Sequence, residues 1–113
     1  MKRELDLAGG TQLTDEGMRQ LAAGSMWRMS RLNLTWCVNL KDGSLEAISK
    51  GMPRLCWLSL HGIKWVSDAG LVQLSKGCRY VHALDLNACS GIQDRSEERM
   101  RKLWAGFTTL IGL

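Results

Sequence analysis

The chain has 113 residues, 45% of them hydrophobic and 23% charged, with a formal net charge of +4 and a pI near 9.1. That length suits one domain with a modest core, no apolar run approaches the ~20 residues needed to cross a bilayer, and the N-terminal residues have neither a signal-peptide nor a transit-peptide character. Acids are interspersed with bases, and even the densest basic group (Arg95, Arg99, Arg101 and Lys102) is interrupted by Glu97 and Glu98, so no stripe suited to nucleic acid is expected.

The first predicted element is a short strand at Leu5-Asp6-Leu7. Gly10 and Leu13 follow it, and then Thr14-Asp15 opens a helix whose inner face is Met18 and Leu21 and whose end is near Gly24. The second unit has the same parts: Leu32-Asn33-Leu34, Cys37, Leu40, Asp42, Leu45 and Ile48, then Gly51, with Pro53 just beyond the helix end. In the third, Leu55 leads into Leu58-Ser59-Leu60, where alternation fits a strand with one buried face. Gly62 allows a turn, Ile63 and Val66 anchor it, Ser67 is a good N-cap before Asp68, Leu71 and Leu74 recur at helical spacing, and Gly77 closes the helix. The fourth begins at Leu84-Asp85-Leu86 and continues through Cys89, Ile92 and Asp94.

First leucines at 5, 32, 58 and 84 give steps of 27, 26 and 26 residues, and a fixed period in this range marks a solenoid. The extra residue falls between Gly24 and Met29, in a surface turn that tolerates it. The fourth unit departs from the pattern: Glu97 stands where the others carry Met18, Leu45 and Leu71. Met100, Leu103, Trp104, Phe107, Leu110 and Ile111 then recur at three- and four-residue intervals, which predicts an amphipathic helix, with Asp94 and Glu97 as its capping box. The expected division is therefore repeats over 1–95 and a C-terminal capping helix over 96–113, because the last repeat of a solenoid must cover its own edge. The same amphipathic pattern would also serve a membrane-surface or partner-binding helix.

The cysteines, Cys37, Cys56, Cys78 and Cys89, include no CxxC pair, and His61 and His82 are the only histidines, so neither a zinc site nor any other metal site is expected. Cys37 and Cys89 hold equivalent places but are separated by a whole repeat carrying Ile63 there. Reduced, buried thiols fit better than a disulfide, and point to a reducing, cytoplasmic setting or to a nuclear or organellar assembly. No nucleophile–base pair and no glycine-rich phosphate loop is evident, so the expectation is no catalytic residue, no cofactor and no enzyme.

Alternation along the strands turns the leucines inward and four rows outward: Glu4/Asp6/Ala8, Arg31/Asn33/Thr35, Trp57/Ser59/His61 and Ala83/Asp85/Asn87. Tryptophan and arginine dominate binding hot spots, and Trp57 sits beside Arg31 and near His61. The predicted protein-binding face is accordingly Arg31, Asn33, Trp57, Ser59, His61 and Asp85. Trp27, Trp36 and Trp65 fall in bends, where packing at the edge of the core is expected. Only Met1 to Glu4 precede the first strand, so its outer edge is expected to be covered by another chain or by upstream repeats.

With the units aligned, Leu13-Thr14-Asp15-Glu16-Gly17-Met18, Val66-Ser67-Asp68-Ala69-Gly70-Leu71, Gly77-Cys78 and Cys89 resemble the leucine-rich repeats of the cysteine-containing subtype. The resemblance covers residues 2–96, although Gly10 and Ile63 replace two of the four strand-end cysteines. It implies an α/β fold, a right-handed leucine-rich-repeat solenoid of about four strand–helix repeats of 26–27 residues with a C-terminal capping helix. It also implies a protein-interaction module, as in F-box proteins that select substrates for ubiquitin ligation and in the mitotic-exit antagonist family. Similar repeats in axonemal and mitochondrial assembly subunits imply the alternative, a structural subunit buried in a large multi-protein assembly. The sequence opens directly on the first strand with no F-box before it, so recruitment of a ligase scaffold by this chain itself is not expected.

Overall fold

The computed structural model describes residues 3–112. Five parallel strands form one sheet in sequence order, and four helices alternate with them. The strands are β1 (Glu4–Asp6), β2 (Arg31–Asn33), β3 (Trp57–Ser59), β4 (Ala83–Asp85) and β5 (Thr109–Leu110). The helices are α1 (Asp15–Ala22), α2 (Asp42–Gly51), α3 (Asp68–Gly77) and α4 (Glu97–Leu103).

The period of the sequence becomes the register of the sheet. Leu5, Leu32, Leu58, Leu84 and Leu110 are partners across successive strands. Leu32, Leu58 and Leu84 are wholly buried, each worth ~1.5–3 kcal/mol in removed apolar surface. Leu40, Val66 and Ile92 are buried in the same core, as are Ile48, Leu74 and Met100 from the helices, so residues equivalent in the period share one core. At the β1 end the ladder is less complete, and Leu5 and Leu7 are only half-buried.

The helix starts follow their caps. Thr14 and Ser67 accept hydrogen bonds from the backbone N–H of Gly17 and Gly70. The aspartates that open α1, α2 and α3 also reach into the following repeat. Asp15 accepts from the Lys41 N–H at 2.9 Å and the Ser44 hydroxyl at 2.6 Å, Asp42 from the Ser67 N–H at 2.8 Å, and Asp68 from the Gln93 and Asp94 N–H groups at 2.6 and 3.1 Å. Burial pushes the Asp68 carboxyl upward, but the backbone N–H groups of Gln93 and Asp94 outweigh it and hold the group below the usual range. A depressed folded-state pKa stabilises at neutral pH and is lost as pH falls through the folded value. Asp68→Asn is therefore expected to lose ~1–2 kcal/mol at neutral pH and to show a shallower acid-side decline below about pH 4, both read from urea unfolding.

Gly51 and Gly77 end α2 and α3 without entering the left-handed region. Their role is closeness: a Cβ on Gly51 would run into the Ala22 carbonyl, and one on Gly77 into the Ser49 carbonyl of the neighbouring helix.

The C-terminal segment corrects the expectation of one helix over 96–113. The helix α4 stops at Leu103, and Thr109–Leu110 joins the sheet beside β4. Its N-cap is Ser96, which accepts from the Arg99 N–H, while Asp94 accepts from the Ser96 N–H and hydroxyl and no Asp94–Glu97 box forms. The apolar spacing is ambiguous for a physical reason: a pre-strand anchor and its strand leucine, such as Leu55 and Leu58, are three residues apart, as helix neighbours are. Backbone demand resolves it. The N–H groups of Thr108 and Thr109 donate to the His82 carbonyl and that of Ile111 to the Leu84 carbonyl, which pairs the edge of β4.

Candidate partner-binding face

The outward rows of β2, β3 and β4 lie side by side, because the strands pair Arg31 with Trp57 and Trp57 with Ala83, then Asn33 with Ser59 and Ser59 with Asp85. Three of the six predicted residues meet at one end. The Arg31 guanidinium lies 4.6 Å from the centroid of the Trp57 ring, and its Nε is 3.4 Å from a Glu4 carboxylate oxygen. Arg31, Trp57 and Asn33, together with Arg3, Glu4, Leu5 and Asp6, line an open groove of about 540 Å³. This end offers a half-buried indole, a positive charge stacked on it and two carboxylates, so it combines apolar contact with directional hydrogen bonding.

The middle of the face is a linked polar network. Asn33 Oδ1 accepts from the Thr35 N–H at 3.0 Å and its hydroxyl at 2.6 Å, and the Thr35 and Ser59 hydroxyls are 2.7 Å apart. His61 Nδ1, two residues past β3, and Asp85 Oδ2 of β4 are 3.2 Å apart. Asp85 Oδ1 also accepts from the Asn87 N–H and side-chain amide, and the same amide donates to the Ile111 carbonyl of the last repeat at 2.9 Å. Such networks fix side chains that would otherwise rotate freely, which lowers the entropy lost when a partner binds.

Two sequence expectations change here. Ser59 is 2% exposed, closed over by its neighbours and bonded to Thr35, so it supports the surface rather than touching a partner. Trp36, expected to pack at the core edge, is 50% exposed, and Trp27 and Trp65 are 44% and 56% exposed. The Trp36 backbone lies in the left-handed region, at φ 61°. Its equivalents one repeat to either side and two repeats on, Gly9, Gly62 and Ala88, do the same, so every repeat turns this corner with a left-handed residue. Tryptophan is an unfavourable occupant of that conformation. The indole leans over the bare Cα of Gly62 and meets the His61 ring edge-on, with centroids 5.1 Å apart. It therefore extends the candidate face past His61. A left-handed requirement at residue 36 could have been inferred from Gly9 and Gly62 in the aligned repeats.

No protein-family model matches the chain. What the face can do follows from its own groups: it presents indoles, an arginine and fixed polar atoms for non-covalent recognition. Among the described residues no three His, Cys, Asp or Glu side chains gather as a metal site requires, and no helix is long and apolar enough to cross a membrane.

The cysteines are all free, and their thiols knit neighbouring repeats together. Cys37 donates to the Leu7 carbonyl at 3.1 Å, Cys78 to the Met52 carbonyl at 3.2 Å and Cys89 to the Leu60 carbonyl at 3.0 Å. Burial pushes the Cys78 thiol up to about 12 and the Cys89 thiol up to about 11, and it raises Cys37 as well. A raised folded-state pKa leaves stability intact below the unfolded thiol value and erodes it above, as the unfolded chain ionises first. Unfolding free energy is thus expected to fall steadily between about pH 9 and pH 12, with Cys78→Ala and Cys89→Ala flattening the slope. At neutral pH, iodoacetamide is expected to label the half-buried Cys56 ahead of Cys37, Cys78 and Cys89, as read by mass spectrometry.

Proposed function

We propose that this chain is a right-handed leucine-rich-repeat solenoid of the cysteine-containing subtype, working without catalysis as a protein–protein interaction module. Its partner docks on the outward strand face, between the Arg31–Trp57 pair at one end and His61 with Trp36 at the other. The observation that carries this reading is the Arg31 guanidinium stacked on Trp57 in the walls of a 540 Å³ groove, beside a pre-formed polar row. The cysteine-subtype resemblance makes a degradation substrate selected for ubiquitin ligation the first partner class to test. Free, buried thiols favour a reducing compartment such as the cytoplasm.

A structural subunit of a large assembly is the second reading, favoured by the half-buried Leu5 and Leu7, whose counterparts in the next three repeats are sealed in the core. Affinity purification from the native source, followed by titration of the captured partner, separates the two. Under the first reading Trp57→Ala, Arg31→Ala and Trp36→Ala each weaken binding by at least ~1–2 kcal/mol with an unchanged melting temperature. Binding that survives all three and fails on Leu5→Ser or Leu7→Ser supports the second.

A further inference from the structure

The turns that lead from each helix into the next strand carry a different chemistry from the strand face. They hold Trp27 and Arg28 before β2, Arg54 before β3, and Arg79 and Tyr80 before β4, and there is no Asp or Glu from Ala23 to Ser30, from Gly51 to Cys56 or from Gly77 to His82. Tyr80 is 69% exposed and the three arginines are exposed as well. The guanidinium carbons of Arg28 and Arg54 lie 4.7 and 5.0 Å from the centroid of the same indole, that of Trp27. Two like charges thus converge on one half-exposed ring. Stacking of this kind leaves the N–H edges of a guanidinium free to grip a carboxylate in a fork.

Among the described residues no carboxylate pairs with these arginines. Each of its eleven Asp and Glu side chains already has a hydrogen-bonding or ion-pair partner within the chain, and none of those partners is Arg28, Arg54 or Arg79. Their N–H groups are thus available to an anion from outside the chain. We propose that this ridge is a second docking surface, for an extended acidic peptide segment of a partner protein. Size favours a peptide over nucleic acid. Three adjacent turns span two strand spacings, ~10 Å, the length of about three extended residues, so the arginines match a short acidic run. Nucleic-acid sites neutralise ~6–10 phosphates, more than this ridge offers. The guanidinium groups over Trp27 also occupy the ring surface on which a base would stack.

The test is a fluorescence-anisotropy titration of the full chain with a labelled peptide alternating Glu and Ser, paired with indole N–H chemical shifts from the same titration. The expected result is saturable binding that weakens with salt, is lost when Gln replaces Glu in the peptide, and moves the Trp27 indole signal but not that of Trp57. The triple variant R28A/R54A/R79A is expected to bind at least ~10-fold more weakly, while the triple Arg→Lys variant recovers part of the loss. Equal binding of the Gln peptide, a shift at Trp57 instead of Trp27, or an unaffected folded triple variant overturns the proposal. Tighter binding of a single-stranded oligonucleotide that shifts Trp27 also overturns it, and so does a salt-sensitive dimer abolished by the triple variant, which would assign the ridge to a second copy of the chain. Should the triple variant fail to fold, the Trp27 shift and the Gln-peptide control in the wild-type chain decide the matter.

Discussion

Trp104→Ala is expected to be the most damaging single substitution in the chain, lowering the unfolding free energy by ~3–5 kcal/mol. Trp104 is 1% exposed, packs with Phe107 at a centroid distance of 6.5 Å, and donates its indole N–H to the Cys78 carbonyl at 2.7 Å. Its place in the repeat explains the bond. Met52, Cys78 and Trp104 are equivalent residues, and Cys78 donates its thiol to the Met52 carbonyl in the same way. The indole thus performs the link that a thiol performs one repeat earlier. Truncation opens a cavity in the core beside Phe107 and strips the Cys78 carbonyl of this donor. A domain of this size has about 5–15 kcal/mol in all, so the loss is a large share of it. Urea unfolding followed by circular dichroism measures it. Trp104→Phe, which keeps most of the ring and loses the donor, is expected to lose ~1–2 kcal/mol; equal losses for Ala and Phe would mean that the hydrogen bond, not the packing, dominates.

The second large effect is expected at Gly77→Ala, with a loss of ~3 kcal/mol, at the upper end of what overpacking a tight contact produces. In an ordinary helix the same exchange stabilises by up to about 1 kcal/mol, because glycine is the poorer helix former. Here the added methyl meets the Ser49 carbonyl, a backbone atom that has no rotamer to escape into. The helices α2 and α3 must separate, and the Ser49 hydroxyl bond to the Gln73 carbonyl is strained with them. Gly106→Ala is the control, since no atom lies within 4 Å of its added Cβ. The sign of the difference between the two variants in thermal melting decides whether Gly77 is there for close approach or merely ends the helix.

Most of the scaffold was legible from period alone. Leu32, Leu58 and Leu84 recur in phase, and residues that recur in phase along stacked units must meet their equivalents, so the strand register and the buried ladder follow from counting. The caps Thr14 and Ser67 were legible because an N-cap is a local matter between a side chain and an amide three residues on. The fifth strand was within reach too: one more step of 26 residues from Leu84 arrives at Leu110. It was obscured because three-residue apolar spacing serves a helix face and a strand entry equally, and only the unpaired edge of β4 distinguishes them.

The candidate face was legible in part, and for a similar reason. Alternation fixes which residues of a strand point outward, which placed Arg31, Asn33, Trp57, His61 and Asp85 on one surface. It says nothing of how closely neighbouring units crowd that surface, and Ser59 is buried with its hydroxyl bonded to that of Thr35. By itself, then, the sequence determined the repeat, its register and the direction of each strand side chain, since these depend on local periodicity. Only the tertiary structure decided that Ser59 is covered, that Trp36 stands half in solvent on a left-handed corner, that Gly77 guards a helix contact, and that Arg28 and Arg54 converge on Trp27. Each of these depends on distances between repeats, and a one-dimensional pattern carries the order of its residues but not the space between them.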